Sequence, residues 1–217
     1  MSVAFDQSQT RLNLMRAFAG ESQARNRYTF AAGLARKKNL YVLESVFTFT
    51  AGQERAHAKV FYNLLEQVSG QSLQVDGTYP VELFPDILDH LRSARHNEYQ
   101  EYSHDYAGFA RTAQEEGFPE IAHTFSMIAG IEKTHGDRFG RFAELMEQDR
   151  LFVSDVEVKW MCLNCGQVVD ATMAPALCPV CRHPQGFFIR LEMKVLPHRL
   201  QVHVACASIM MFMHLNF

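Results

Sequence analysis

Two glutamate and histidine pairs lie in the middle of helical stripes where apolar residues are expected. In "FTFTAGQERAHAKVF", residues 47 to 61, the stripe at helical spacing contains Glu54 and His57. The same pair, Glu132 and His135, interrupts a second stripe later in the chain. Burying an unpaired carboxylate is so costly that such groups are normally paired, protonated or bound to a metal. The rest of the chain must therefore supply partners for these two motifs.

Two further glutamates complete a repeated pattern. Glu21 precedes Glu54 by 33 positions and Glu98 precedes Glu132 by 34, so each half has a helix with a central Glu and a helix with Glu-x-x-His. Residues three apart on a helix share one face and reach one ion. Four such helices match the ferritin-like bundles that hold two iron or manganese ions. Mixed carboxylate and imidazole ligands favour iron, while geometry alone leaves manganese and zinc open.

Other polar residues extend the predicted site. Glu101 lies three residues after Glu98 on the same helix face, where it is either a surface acid or a seventh ligand that competes with His57 for one ion. Three more side chains are candidates to hydrogen bond the ligands, with ordinary partly buried polar residues as the alternative. These are Tyr28, Tyr102 and Asp105.

Four cysteines form two Cys-x-x-Cys pairs that are separated by twelve residues. They are Cys162, Cys165, Cys178 and Cys181. Each pair presents two sulfurs from a tight turn, and two such turns close a tetrahedral four-thiolate site. The spacing suits an iron centre that cycles by one electron and equally a structural zinc site. Trp160, Phe187 and Phe188 are predicted to form the small aromatic core of this module.

Apolar periodicity places the ligands on four helices. The first is predicted from about Thr10 to Lys38, and the second ends near Gly70, a natural helix stop. Residues 70 to 83 contain glycines and a proline and show no sustained period, so they form a connection. When extended, fourteen residues can run the length of a helix of about thirty residues. This segment is therefore a candidate crossover.

The remaining chain completes the bundle and adds a second module. Pro85 suits the first turn of a third helix, which breaks near Gly117, and the fourth helix follows. We predict a mainly α fold, a ferritin-like four-helix bundle with one long crossover, followed by a small β module, which the resemblance described below implies is rubredoxin-like. The predicted domains are residues 1–147 and 157–193, with a tail of unknown role at 194–217 that includes the fifth cysteine.

Composition narrows the class of protein. The chain has 217 residues, is 47% hydrophobic and carries a net charge of -3, without a run of Lys and Arg. Nucleic acid and acidic membrane surfaces are therefore disfavoured as partners. The N-terminal segment "MSVAFDQSQTRLN" lacks a basic stretch followed by an apolar one, so we expect a cytoplasmic protein. Paired cysteines suit a reducing compartment.

The chain resembles the rubrerythrins, ferritin-like di-iron bundles fused to a rubredoxin-like iron module. The resemblance covers residues 1 to about 193 and is carried by the motifs "AFAGESQARNRY", "QERAH", "ARHNEYQEY", "IEKTH" and "CPVCRHP". All seven di-iron ligand positions and all four cysteine positions of the family are filled.

Membership implies a peroxidase that reduces hydrogen peroxide to water at two iron ions, with electrons relayed from one iron held by the four cysteines. It also implies that Glu101 and His57 exchange at one iron as its oxidation state changes. The expected partners are hydrogen peroxide and a reduced electron donor, either rubredoxin or a pyridine-nucleotide-dependent reductase. A homodimer or higher homo-oligomer is also expected, in which facing subunits meet head to tail.

Two other functions stay open at this point. In the first, the bundle oxidises and sequesters iron as a ferritin does. In the second, zinc fills the cysteine module and the bundle has a structural or regulatory role. The cysteine module and Glu101 favour the peroxidase, because storage needs neither an electron inlet nor a change of ligand.

Overall fold

The computed structural model describes residues 3–193, which form two units that divide between Val153 and Ser154. The first unit is helical and contains the Glu and His motifs, whereas the second is a small β unit with the four paired cysteines. The predicted fold class is confirmed. The domain boundaries stay a prediction, and the predicted tail, 194–217, lies outside the described residues.

Five α-helices build the helical unit: α1 (Gln9–Lys37), α2 (Tyr41–Asn63), α3 (Ile87–Gln100), α4 (Tyr106–Glu116) and α5 (Pro119–Glu147). A π-helical segment, Glu101–Asp105, joins α3 and α4 into one long third helix. Helix α1 packs along α2, while α5 packs along α3 and α4. Contacts of α1 with α3 and α4 then join the two pairs into a four-helix bundle.

Local signals set the ends of the first two helices. The Ser8 hydroxyl caps α1 by accepting the backbone N–H of Arg11 at 3.1 Å. Asn39 has a φ of 58°, a conformation that asparagine tolerates, and it turns the chain into α2. The predicted end of α2 is wrong by several residues, because the chain leaves the helix at Asn63 and forms a 3-10 turn at Glu66–Val68 before Gly70.

The crossover is anchored by one buried carboxylate near its end. Glu82 Oε1 accepts hydrogen bonds from Ser93 Oγ and Asn97 Nδ2, each at 2.6 Å. The same oxygen lies 2.8 Å from Arg27 Nη1 of α1, and only 4% of the Glu82 side chain is exposed. The contacts tie the crossover to α1 and α3 together.

The third and fourth helices begin and end at recognisable residues. The prediction that Pro85 lies in the first turn of the third helix is wrong, because α3 begins at Ile87. Asp86 caps the helix by accepting the backbone N–H of Leu88 at 3.1 Å. Gly117 ends α4 with a φ of 90°, a left-handed conformation that favours glycine. Pro119 is the first residue of α5, where its missing N–H costs no helical hydrogen bond.

The β unit is a three-stranded sheet in the order β2-β1-β3. Its strands are β1 (Val153–Cys162), β2 (Val168–Met173) and β3 (Phe188–Arg190). Strands β1 and β3 are antiparallel, and Cys162 pairs with Phe188. Trp160 and Phe188 are fully buried, as predicted, and the Trp160 indole donates to the Ala171 carbonyl at 3.0 Å. Phe187 is only partly buried and packs edge-on against His183.

Within residues 3–193, none of the helices combines the length and the apolar character that crossing a membrane requires.

Glu116 provides a test of how the bundle is held together. Its carboxylate accepts the backbone N–H groups of Gln9 and Thr10 at 2.8 Å each and the Thr10 hydroxyl at 2.6 Å, so it caps α1 from the end of α4. Burial alone would raise the pKa of Glu116, but these hydrogen bonds lower it below its usual range. Glu116→Ala is expected to lower the free energy of unfolding by about 1 kcal/mol at neutral pH.

The pH dependence of that loss follows from the lowered pKa. The stabilisation by Glu116 is fully present above the ordinary glutamate pKa and disappears as pH falls through the lower pKa of the folded state. The loss of stability is measured by denaturant unfolding at neutral and at acidic pH. The proteins compared are wild type, Glu116→Ala and the exposed control Glu115→Ala. An unchanged difference between wild type and Glu116→Ala in acid contradicts the assignment.

Candidate metal centres

Four carboxylates and two imidazoles from four helices meet at the centre of the bundle. They form two groups in which the ligand atoms lie within 4.8 Å of one another. One group is Glu21, Glu54, His57 and Glu132, and the other is Glu54, Glu98, Glu132 and His135. The two groups share Glu54 and Glu132. Helical spacing brings them together because each central Glu faces the bundle axis and each His follows its Glu by three residues.

The shared carboxylates use one oxygen on each side. Glu132 places Oε1 2.9 Å from Nδ1 of His57 and Oε2 2.8 Å from Nδ1 of His135. Glu54 places Oε2 3.4 Å from the first imidazole nitrogen and Oε1 2.9 Å from the second. Glu21 and Glu98 each face one imidazole, at 3.6 and 3.5 Å. Two ions bound here would share Glu54 and Glu132, and each would have one further carboxylate, Glu21 or Glu98.

Most polar atoms of the cluster are buried without hydrogen-bond partners among the described residues. Both oxygens of Glu54 and of Glu132, and both ring nitrogens of His135, belong to this set. The short distances between carboxylates and imidazoles lack the angles of hydrogen bonds. Since buried polar groups are otherwise almost always hydrogen bonded, these atoms fit metal ligands.

Electrostatics support the same assignment. Burial, with the charge of Glu54 second, raises the pKa of Glu98 to about 8. Burial would lower the pKa of His135, but its contacts with Glu132, Glu54 and Glu98 raise it to about 12. The carboxylates thus demand compensating positive charge. Cations supply it while leaving the imidazoles neutral and able to bind metal.

Two buried tyrosines each donate a hydrogen bond to a ligand glutamate in the other half of the bundle. Tyr28 of α1 donates to Glu98 of the third helix, and Tyr106 Oη donates to Glu21 Oε1 of α1 at 2.5 Å. Burial raises the pKa of both hydroxyls well above the ordinary value, so they remain donors. Each terminal carboxylate is therefore oriented by a tyrosine that the other helix supplies.

The π segment changes which residues of the third helix face the cluster. Tyr102 is 37% exposed, and the hydroxyl that reaches a ligand belongs to Tyr106. Asp105 accepts from the Gln100 amide at 3.3 Å, and Nε2 of His135 has no partner among residues 3–193. A π turn adds one residue per turn, so inward positions after Glu101 are shifted. The structure thus does not bring Tyr102 or Asp105 to the ligands, contrary to the sequence prediction.

Glu101 lies beside the cluster and outside both groups of ligands. It is the first residue of the π segment and is partly buried. Burial raises the pKa of Glu101 well above the usual range, and the charges of Glu98 and Glu21 raise it further. Glu101 is thus close enough for the charges of the ligand carboxylates to raise its pKa. His57, and not Glu101, contacts those carboxylates directly.

Aromatic layers enclose the cluster at both ends. Phe47 and Phe139 pack with ring centroids 5.1 Å apart on one side, and Phe61 and Phe125 pack at the same separation on the other. All four rings are fully buried. Each Glu-x-x-His motif has one Phe seven residues before its Glu and one four residues after its His. Because α2 and α5 run in opposite directions, the Phe before the motif on one helix packs against the Phe after the motif on the other. The two pairs of rings exclude water.

The four paired cysteines converge in the β unit. Sγ of Cys162 lies 3.7 Å from Sγ of Cys181, and the sulfurs of Cys165 and Cys178 lie 3.6 Å apart. These separations are too long for disulfides and close to the roughly 3.8 Å between sulfurs bound tetrahedrally at about 2.3 Å from one metal. The thiolates fit one metal ion.

The two cysteine turns have the same backbone geometry. The N–H of Gly166 donates to the Cys162 carbonyl at 2.8 Å, and the N–H of Arg182 donates to the Cys178 carbonyl at 3.0 Å. Gly166 and Arg182 both have positive φ, 77° and 61°. The backbone N–H of His183 lowers the pKa of Cys181 to about 5, which favours the thiolate form that binds metal.

Comparison with known proteins agrees with both centres. A family model for rubrerythrin matches residues 13–143, and a model for the rubredoxin-like domain of rubrerythrin matches residues 160–189. The chain belongs to the rubrerythrin family. Its sequence is 43% identical to rubrerythrin of Clostridium perfringens and 42% identical to that of Nitratidesulfovibrio vulgaris. In each comparison the match spans 83% of this chain and 93% of the relative.

Solved structures show the same fold. A mixed-valence state of nigerythrin is 28% identical, with a TM-score of 0.57 over 87% of this chain and 91% of that one. As a rubrerythrin, the chain binds two iron ions at the Glu and His cluster and one at the four cysteines. Sequence reasoning missed Tyr106. Tyr28 follows Glu21 by seven residues, but Tyr106 follows Glu98 by eight, so the same spacing pointed to Asp105 and the extra residue belongs to the π segment.

The shared carboxylates predict an unequal effect of mutations on iron content. Glu54→Ala removes an oxygen from each group and is expected to reduce bound iron from three ions to the one at the cysteines. Glu21→Ala affects one group only and is expected to retain more iron than Glu54→Ala. Measuring the number of iron ions per chain tests this. The visible bands of the ferric thiolate centre serve as the control for the β unit. Equal loss in both variants contradicts the bridging assignment.

Gly136 predicts a second effect on the cluster. A Cβ at this position would lie 3.2 Å from the Tyr99 ring and 3.4 Å from Cβ of Glu98, so Gly136→Ala pushes a ligand helix outward. We expect iron affinity at the cluster to fall by about tenfold or more, as for other residues that support metal ligands.

Gly130→Ala on the same helix is the matched control, because a Cβ there meets nothing within 4 Å. This control is expected to keep its iron and gain about 0.5 to 1 kcal/mol of stability. Chelator competition and denaturant unfolding measure the two quantities. Equal iron affinity in Gly136→Ala and Gly130→Ala contradicts the prediction.

Proposed function

We propose that this protein is a peroxidase that reduces hydrogen peroxide to water and receives its electrons through the iron of the four cysteines. The observation that carries the proposal is a buried site for two ions that share two carboxylates, in one chain with a tetrathiolate site. The reaction takes two electrons and two protons and breaks the O–O bond, so that one peroxide gives two waters.

The metals supply the electrons: two ferrous ions held by common carboxylates can each give one, so that both reach the same peroxide. The chain provides the surroundings. Glu54 and Glu132 would each bind both ions, and the tyrosine hydroxyls keep Glu21 and Glu98 oriented. The buried phenylalanine layers keep bulk water out, which limits the escape of reactive oxygen species.

Glu101 and His57 are proposed to exchange at one ion as its oxidation state changes. A hard carboxylate suits the ferric ion, and an imidazole suits the ferrous ion. Two observations support this. His57 contacts Glu21, Glu54 and Glu132, and Glu101 lies next to these carboxylates at the start of a π turn. Such turns occur frequently at functional sites.

The proposal includes partners. The exposed Cys165 and the partly exposed Cys181 give an electron donor access to the tetrathiolate site. We propose rubredoxin or a pyridine-nucleotide-dependent reductase as that donor, and a homodimer or higher homo-oligomer in which one subunit's cysteine module serves its neighbour. A cytoplasmic location is consistent with paired cysteines that bind metal.

The decisive experiment follows both centres during oxidation. Protein purified and reduced without oxygen is mixed with stoichiometric hydrogen peroxide or with oxygen, and the ferric thiolate bands are recorded with time. Rapid oxidation by peroxide supports the peroxidase. Slow oxidation by peroxide with rapid oxidation by oxygen supports iron oxidation and storage instead.

Glu101→Ala tests the proposed exchange of ligands. We expect peroxide turnover to fall by about tenfold or more, because a side chain that completes the metal site only during turnover is lost. The thiolate bands of the β unit should be unchanged. Glu120→Ala, an exposed acid on α5, is the control. Turnover in Glu101→Ala equal to that of the control contradicts the exchange.

A further inference from the structure

A cleft of about 600 Å³ on the helical unit leads to the ligand layer. Its walls come from α1, the third helix and residues 76–80 of the crossover, which we call the strap. Glu101 and the buried Tyr106 belong to the lining. Because Tyr106 donates its hydrogen bond to Glu21, a molecule in this cleft is one side chain away from a metal ligand.

The strap covers the cleft through contacts to α1. Arg16 Nη2 lies 2.6 Å from Asp76 Oδ1, and the Tyr79 hydroxyl donates to the Arg16 carbonyl at 3.4 Å. A Cβ on Gly20 would lie 3.9 Å from the Tyr79 ring. The absence of a side chain at Gly20 therefore keeps space open beneath that ring.

The cleft is far larger than hydrogen peroxide requires. A water molecule occupies about 30 Å³ in the liquid, so a molecule with two oxygen atoms needs roughly twice that volume. Pockets that bind organic ligands have volumes of about 300 to 1,000 Å³. The volume of this cleft lies within that range.

The lining suits a neutral ligand with an apolar group. Ala17, Tyr79 and Phe109 contribute apolar surface, and the rest of the lining is mainly polar, with three carboxylates and two guanidinium groups. Both cations in the lining are already paired, Arg16 with Asp76 and Arg27 with Glu82. A ligand therefore does not need a negative charge to match the cleft.

We infer that the cleft admits neutral organic hydroperoxides, such as tertiary alkyl hydroperoxides, as further substrates of the same centre. The inference rests on the proposed peroxidase function. The organic group lies beneath the strap, and the hydroperoxide group points to Glu101 and Tyr106. The O–O bond breaks with uptake of two electrons from the same reduced donor and two protons. The oxygen bound to carbon leaves in the alcohol, and the other leaves as water.

Separate assays with a small and a large peroxide test this inference. Wild-type holoprotein is assayed with hydrogen peroxide and with cumene hydroperoxide. Gly20→Leu fills the space beneath Tyr79, and Gly33→Leu is the control on the exposed face of the same helix, where a Cβ meets nothing within 4 Å. We expect Gly20→Leu to lower kcat/KM for cumene hydroperoxide by about tenfold or more, the usual effect of filling a pocket, while turnover of hydrogen peroxide is retained.

Binding provides a readout that does not depend on turnover. Titration calorimetry with 2-phenyl-2-propanol, the alcohol product, is expected to show saturable binding to wild type and Gly33→Leu and its loss in Gly20→Leu. Reduction of hydrogen peroxide alone, or equal loss of both activities in Gly20→Leu, overturns the inference. Reduction of neither peroxide by wild type overturns the proposed function itself.

Discussion

The charge of four buried carboxylates is the constraint on which the helical unit depends. Glu21, Glu54, Glu98 and Glu132 are each at most 1% exposed. Carboxylates in such a place are stable only with cations or protons beside them, because desolvation of an uncompensated charge costs more than packing can offset. Iron satisfies that requirement and at the same time provides redox chemistry. The carboxylates that would destabilise the core on their own are therefore the residues that form the iron site.

Around that cluster the bundle is nearly symmetric. The two Glu-x-x-His motifs, the paired phenylalanine layers and the reciprocal tyrosine hydrogen bonds repeat in each half. Symmetry suits two ions that must share ligands. It is broken on the third helix, where the π segment adds one residue and places Glu101 beside the cluster, whereas helix α1 has Ala24 three residues after its Glu. The asymmetric side also borders the cleft, so the proposed ligand exchange and the proposed substrate entry lie on the same face.

The β unit achieves its metal site by different means. Its sulfurs are placed by backbone turns with positive φ and by hydrogen bonds to carbonyls, with little help from a large core. Two of the cysteines are buried and the other two reach the surface. A tetrathiolate site of this kind can change charge by one electron with little rearrangement, since the turns hold the sulfurs in position. This suits the proposed role of the β unit in passing electrons to the helical unit.

Spacing along the chain determined the ligands themselves. Glu21, Glu54, Glu98 and Glu132 with their histidines, and the four cysteines, follow from helical periodicity and from the Cys-x-x-Cys pattern, because both describe local geometry that neighbouring residues impose. The four helices and the crossover follow for the same reason. The tertiary structure alone decided that Tyr106 replaces Tyr102, that Glu82 anchors the crossover, and that Gly20 leaves a cleft open. These features depend on a single π turn and on contacts between residues far apart in the chain, and a periodic pattern read from one segment contains no information about either.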